Sequence, residues 1–127
     1  MKTYVYALIK KENAFLILKR PSNKKSYPSY WNLPGGKLEE KESEFACVKR
    51  EVMEEVHMIF HPLRRILDIL DYEGEEKRVI VFFGDAKGDL QLNDEHIDFS
   101  WIKPTEINNK KTMPYIKSIF EGTLKDV

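Results

Sequence analysis

Short apolar runs separated by polar turns occupy the first part of the chain and predict β-strands. Residues 4–9 and 15–18 are rich in aromatic and branched side chains, and the polar residues 11–13 between them favour a hairpin turn. Residues 21–29 contain two prolines among polar side chains and are typical of a loop. A further short strand is predicted at residues 30–33.

The apolar pattern changes to a helical period after residue 42. Phe45, Val48, Val52 and Val56 recur at spacings of three or four residues, which places them on one stripe of an α-helix over residues 43–56. Ser43 is a favourable N-cap for this helix. We therefore predict one strong central helix that packs on the strands.

The second half of the chain predicts more strands and one closing helix. Strands are predicted at 66–72, 78–83 and 99–102, with a polar turn at 73–76 and a long polar loop at 84–97. The closing helix is predicted over 113–121, with Thr112 as its cap, Pro114 in its first turn and Gly122 beyond its end. Strands around two such helices indicate a mixed α/β sandwich.

The composition supports a single domain over residues 1–127, since a chain of this length can bury a core without cross-links. The 21 basic and 21 acidic residues cancel, so there is no broad field for a nucleic-acid polymer or a membrane surface. The apolar run at residues 4–9 is too short for a membrane span. One cysteine, Cys47, permits no intramolecular disulfide, and we expect a cytoplasmic protein.

Three glutamates on the central helix are the first candidate for chemistry. Glu51, Glu54 and Glu55 stand at i, i+3 and i+4, so their carboxylates share one helix face, and we expect that face to be exposed. Such carboxylates repel each other, and a hard divalent cation such as Mg²⁺ or Mn²⁺ would remove the repulsion. A merely solvated acidic face is the alternative interpretation.

The residues before the helix favour the metal hypothesis. Pro34, Gly35 and Gly36 predict a tight turn in which carbonyl oxygens can approach an ion closely. Glu42 and Arg50 are expected to form an ion pair that supports the loop and the helix without doing chemistry.

Together these residues resemble the Nudix box. Gly36-x5-Glu42-x7-Arg50-Glu51-Val52-x-Glu54-Glu55-x-His57-Met58 matches eight of the nine specified positions of that motif, and residues 30–39 resemble its MutT-like branch. His57 replaces the glycine that ends the family's helix in a left-handed conformation, at a cost of roughly 1 kcal/mol; metal binding by His57 is the alternative. The resemblance implies an α/β/α sandwich with a mixed sheet, one catalytic helix and a C-terminal helix.

The resemblance also implies roles for particular residues. The metal ligands would be Glu51, Glu54, Glu55 and a carbonyl of the glycine pair, here assigned to Gly36. The catalytic base would be Glu51 or a loop glutamate, for which we favour Glu95, with Asp94 as the alternative. Phosphate contacts are expected from Lys37, Arg20 and Lys19.

The resemblance gives less guidance on the base. Candidate base-binding residues are Thr112, Tyr30 and Phe83. Thr112 occupies the position of an asparagine that reads oxidised guanine in the MutT-like branch, and a hydroxyl cannot make the paired contacts of a carboxamide. The threonine therefore argues against a role in removing 8-oxoguanine nucleotides, and the preference between normal and oxidised bases stays open.

The predicted function is a magnesium-dependent pyrophosphohydrolase that converts a nucleoside triphosphate to a monophosphate and pyrophosphate. One alternative is a hydrolase of dinucleoside polyphosphates or nucleotide sugars. Another is a non-catalytic nucleotide-binding module, which the intact glutamates disfavour. The expected partner is a small nucleotide, and the protein is expected to be a monomer or a homodimer.

Overall fold

The computed structural model describes residues 1–72 and 75–122. Its strands are β1 (Lys2–Lys11), β2 (Ala14–Lys19), β3 (Trp31–Asn32), β4 (Gly35–Lys37), β5 (Ile59–Asp71), β6 (Lys77–Lys87) and β7 (Asp98–Ile102). Helix α1 covers Glu44–Val56, a short 3₁₀ helix covers Pro104–Asn109, and helix α2 covers Pro114–Gly122. Among these residues, no helix has the length and apolar character needed to cross a membrane.

The sheet is mixed and is built around β1. This strand pairs in parallel with β6 and antiparallel with β2 and β4, while β5 pairs antiparallel with β6. On the other side of β1, β2 pairs antiparallel with β3 and β7.

Two apolar cores lie on opposite faces of the sheet. Val5, Ala7 and Ile9 of β1 pack toward α1, and Tyr6 and Leu8 pack toward α2. A strand covered on both faces is expected to be apolar at consecutive positions, which explains the unbroken run in β1. The predicted α/β/α sandwich with a mixed sheet is confirmed.

Helix α1 agrees with its predicted range, but the predicted burial of one residue in its apolar stripe is wrong. Phe45 is 55% exposed, whereas the Cys47 side chain is fully buried among the apolar residues beneath the helix. The Phe45 ring instead lies 4.9 Å from the ring of Phe82, centroid to centroid, at the edge of the core.

Several boundaries differ from the predictions. Strand β5 begins at Ile59 and β6 continues to Lys87, so residues 84–87 are strand and not loop. Only Phe60 and Gly84 are buried among the additional strand residues 59–65 and 84–87, so these extensions lack the apolar runs that mark buried strands. Thr112 forms an isolated bridge with Trp31 before α2 begins, and the predicted turn residues Glu73 and Gly74 lie outside the described residues.

The expected tight turn at the glycine pair is also wrong, because Gly35 and Gly36 form strand β4. They pair with Tyr6 and Val5 of β1. A Cβ atom on Gly35 would lie 2.3 Å from the carbonyl oxygen of Val5, so only glycine permits this close approach. The pairing brings the glycine backbone beside α1.

Candidate active site

The ends of α1 are fixed by local hydrogen bonds. The Ser43 hydroxyl accepts a bond of 3.0 Å from the amide of Ala46, as expected for an N-cap. At the other end His57 is left-handed, with φ 59° and ψ 32°, and its amide donates to the carbonyl of Met53 at 3.1 Å. The left-handed conformation expected at the missing box glycine is therefore present, with histidine adopting it.

Arg50 connects the loop before α1 to the acidic face of the helix. Its Nε and second guanidinium nitrogen donate to the two carboxylate oxygens of Glu42 at 2.7 and 3.0 Å. This bidentate pair lowers the pKa of Glu42 to about 2. Another nitrogen of Arg50 donates to Glu51 at 2.9 Å and to Glu54 at 3.3 Å. One guanidinium thus binds three carboxylates.

Glu55 is buried, contrary to the exposed carboxylate expected from the sequence. Only 3% of the residue is exposed, and its Oε1 accepts a hydrogen bond of 2.7 Å from the amide of Gly35. Its other oxygen lies 3.4 Å from Nε2 of His96. Burial raises the pKa of Glu55 to about 9, the Gly35 bond opposes this rise, and repulsion from neighbouring glutamates adds to it.

The side chain of Glu51 lies directly against Gly36. A Cβ atom on Gly36 would be 2.5 to 2.6 Å from the atoms of the Glu51 carboxylate. Burial raises the pKa of Glu51, the bond from Arg50 opposes this rise, and repulsion from Glu54 and Glu95 adds to it. The carboxylate of Glu51 therefore packs directly against the backbone of β4, with no side chain between them.

The donors around Gly36 fit a hard divalent cation in their chemistry. They are carboxylate oxygens that repel one another beside a strand whose glycines leave room for an ion. Within residues 1–72 and 75–122, however, no three acidic, histidine or cysteine side chains form a ready-made metal cage. Glu51 and Glu54 accept hydrogen bonds from Arg50. The three glutamates therefore share one helix face, as predicted, but their carboxylates do not converge on one point.

A cleft of about 140 Å³ opens beside Glu55. The glycine pair and Glu95 line it, together with two cations, Arg20 and Lys24. His96 also lines it, with a side chain that is 10% exposed. Burial and the nearby positive charges of Arg20 and Lys24 lower the pKa of His96 to about 4.

A second, larger cleft of about 380 Å³ shares Arg20, Tyr4 and Tyr6 with the first. Its further lining includes Tyr27 and Lys77. The ring of Tyr27 is supported edge-on by Tyr30, with ring centroids 5.1 Å apart. The shared residues make the two clefts neighbours. Acidic and basic groups line the first, and three tyrosines line the second together with charged side chains.

The structure brings some predicted site residues together and leaves others apart. Glu51, Glu54, Glu55 and Gly36 are neighbours, and Arg20 and Glu95 line the cleft. Among the helix glutamates only Glu55 lines a cleft, and the predicted phosphate- and base-binding residues that line neither cleft are Lys19, Lys37, Tyr30, Phe83 and Thr112. Lys19 lies over the ring of Trp31, Lys37 is exposed, and Thr112 is 9% exposed with its hydroxyl oxygen buried.

Sequence reasoning missed Lys24 and His96 in the first cleft and Tyr4 and Lys77 in the second. Lys24 lies in a polar loop and Lys77 begins a strand, so neither has a local pattern that marks it. The one available signal was the position of His96 next to the candidate Glu95.

The sandwich fold and the acidic helix define a hydrolase of the Nudix type. The family model described as NUDIX domain matches residues 2–121, and the chain therefore belongs to the NUDIX family. The predicted resemblance is confirmed, and the protein is an enzyme of this class.

Named relatives agree with this assignment. The protein named nucleoside triphosphatase NudI from Salmonella typhimurium is 30% identical over 119 residues, which cover 84% of each chain. The MutT protein of Methanosarcina mazei superposes with a TM-score of 0.87 at 32% identity, covering 98% of this chain and 94% of that one. The ORF135 protein of E. coli shares the fold, with a TM-score of 0.84 at 24% identity over 98% and 89% of the two chains.

Proposed function

We propose that this protein hydrolyses a nucleoside triphosphate to a nucleoside monophosphate and pyrophosphate in a magnesium-dependent reaction. The observation that supports this most is the first cleft. There the glycine pair, the buried Glu55 and the loop residue Glu95 line the same space as the cations Arg20 and Lys24. Hydrolysis of a phosphoanhydride needs both kinds of group, since oxygens must hold a metal and cations must hold the phosphates.

Glu51, Glu54, Glu55 and the carbonyl of Gly36 would hold Mg²⁺, or Mn²⁺ in its place. When bound, the ion supplies positive charge to the phosphate oxygens on which negative charge develops. The protein has already paired Glu51 and Glu54 with Arg50 and one oxygen of Glu55 with the Gly35 amide. These bonds hold the three carboxylates near β4 before a substrate arrives.

We assign the role of general base to Glu95, with Glu51 as the alternative. The carboxylate of Glu51 is already held by Arg50 and assigned to the metal, whereas Glu95 lines the cleft from a loop. Arg20 and Lys24 would bind the phosphate chain. The nucleoside would extend into the second cleft, where Tyr4 and Tyr27 offer aromatic surfaces.

The choice of a nucleoside triphosphate is supported by the name of the NudI relatives, which are nucleoside triphosphatases. Dinucleoside polyphosphates and nucleotide sugars contain the same phosphoanhydride, so product analysis must separate them. A triphosphate gives pyrophosphate, and the other two classes do not.

The experiment is a substrate panel with identified products. Purified protein is incubated with Mg²⁺ and normal or oxidised nucleoside triphosphates, dinucleoside polyphosphates or nucleotide sugars, and again with a chelator in excess. Glu55→Gln, prepared in parallel, controls for contaminating hydrolases. We expect monophosphate and pyrophosphate from a triphosphate, dependent on Mg²⁺ and absent in the variant. Faster turnover of a dinucleotide or a nucleotide sugar, without pyrophosphate, would replace the proposed substrate class.

A further inference from the structure

We propose that His96 is a positioning residue of this active site. It holds the Glu55 carboxylate in place from the side opposite to Gly35 and fixes the loop that carries Glu95. This inference rests on the proposed function, because the role is to arrange groups that the hydrolysis uses.

The two oxygens of Glu55 meet different parts of the protein. Oε1 accepts a hydrogen bond of 2.7 Å from the backbone amide of Gly35 in β4. Oε2 lies 3.4 Å from Nε2 of His96, which comes from the loop between β6 and β7. A carboxylate contacted at both oxygens cannot rotate freely, so a strand and a loop together determine its orientation.

The loop that carries His96 is tied down on both sides. The amides of Gln91 and Asn93 donate to the carbonyls of Val56 and Glu55 at the end of α1, each at 3.0 Å. The amide of Ile97 donates to the carbonyl of Lys19 at the end of β2, at 3.1 Å. Between these anchors, the contact of His96 with Glu55 joins the loop to the site.

The same loop delivers the candidate base. The amide of Glu95 donates to the side-chain oxygen of Asn93 at 3.1 Å, and both Glu95 and His96 line the first cleft. Because the two residues are adjacent in the chain, a shift of the loop backbone that took His96 away from Glu55 would also move Glu95. His96 therefore links the position of Glu55 to that of Glu95.

The surroundings of His96 distinguish it from an ordinary core histidine. Its side chain is 10% exposed, yet it lies among charged groups at a cleft. Its Nδ1 is buried and has no hydrogen-bond partner among the described residues. A buried nitrogen without a partner costs stability, which indicates that His96 does more at this position than fill space.

The test compares His96→Leu with His96→Gln. Leucine removes both nitrogens, whereas the glutamine amide can place a donor near the position of Nε2. His61→Leu is the matched control, because His61 is a half-exposed histidine on β5 whose nearest acidic group is Asp85 at 3.8 Å. For each protein we would measure kcat and KM with the triphosphate cleaved fastest in the panel, the affinity for Mn²⁺ alone, and thermal unfolding.

We expect His96→Leu to lower kcat and to weaken Mn²⁺ binding, each by about 10- to 100-fold, as for other residues that hold a metal-binding carboxylate. KM should change by less than about threefold, since phosphate and nucleoside contacts remain. His96→Gln should recover most of both losses, and His61→Leu should match the wild type.

Wild-type kcat and Mn²⁺ affinity in a folded His96→Leu protein would overturn the proposal. So would a glutamine variant no better than the leucine variant, because the donor would then be irrelevant. If His96→Leu does not fold, the test rests on His96→Gln alone. A large loss of Mn²⁺ affinity in the glutamine variant would then contradict the proposal. A wild-type protein that cleaves no nucleotide would refute the proposed function, while Mn²⁺ affinity would still test His96.

Discussion

A methyl group at Gly36 would point into the carboxylate of Glu51. An ideal Cβ atom there lies 2.5 Å from Cδ of Glu51 and 2.6 Å from both of its oxygens, whereas ordinary contact begins at 3.4 Å. The carboxylate is the end of a flexible side chain, so it can move away by about 1 Å while the backbone stays in place. A displacement of that size at a reacting group costs up to roughly 100-fold in rate. Gly36→Ala is therefore expected to lose activity and keep its fold.

Gly35→Ala provides the matched comparison, because its added Cβ would meet backbone. The Cβ would lie 2.3 Å from the carbonyl oxygen of Val5, and Gly35 has a φ of 152°, which L-residues rarely adopt. Strand β4 would have to separate from β1. We expect a loss of on the order of 3 kcal/mol in the free energy of unfolding, which for a chain of this size lowers Tm by roughly 10 °C.

The assay is kcat with Mg²⁺ and a nucleoside triphosphate, measured beside thermal unfolding of both variants. Gly36→Ala should lose about 100-fold in kcat with Tm within a few degrees of the wild type. Gly35→Ala should show the large Tm loss. Full activity in Gly36→Ala would refute the reasoning, because Glu51 would then not need its present position. A large Tm loss in Gly36→Ala would show that the glycine is needed for packing.

Four further predictions concern single residues. His57→Gly should raise Tm by roughly 3–5 °C, since it removes about 1 kcal/mol of left-handed strain, and an unchanged Tm would contradict this. Arg50 lowers the pKa of Glu42 from 4.5 to about 2. The ion pair therefore stabilises the fold fully at a pH above 4.5, the ordinary pKa of the carboxyl group, and this stabilisation is lost as the pH falls toward 2. The Tm difference between wild type and Glu42→Gln should therefore narrow between about pH 5 and pH 2, and a constant difference would argue against the pair. Glu55→Gln should lose at least about 100-fold in kcat, and retained activity would show that the site lies elsewhere. Its Tm without metal should equal or exceed that of the wild type, because the variant removes a buried carboxyl group that neighbouring glutamates repel. Arg20→Ala should raise KM about tenfold with little change in kcat, and the reverse pattern would exclude simple phosphate binding.

The fold was predictable where burial leaves a periodic pattern. The apolar run in β1 and the helical spacing in α1 mark elements that face a core, and both lie within a residue or two of their predicted ranges. The first residues of β5 are mostly exposed, and β4 contains two glycines. These strand segments form because they pair with residues that are distant in the sequence. The local sequence therefore does not predict them.

The site was predictable where residues lie close together in the sequence. Spacing alone places Glu51, Glu54 and Glu55 on one helix face, and the structure agrees. Burial of Glu55 was not predictable, since it depends on β4 and on the loop that carries His96. The same limit applies to Lys24, which reaches the cleft from a loop that is distant in sequence from α1.

The arginine of the motif explains how the fold tolerates so many carboxylates on one helix. The guanidinium of Arg50 binds Glu42, Glu51 and Glu54, so their repulsion is reduced near the outer end of the cluster. Glu55 lies at the inner end, where its contacts are a backbone amide and a histidine whose low pKa leaves it neutral at pH 7. Charge compensation is therefore weakest at Glu55, beside the glycine backbone. A divalent cation would gain most at that inner end, where the first cleft opens.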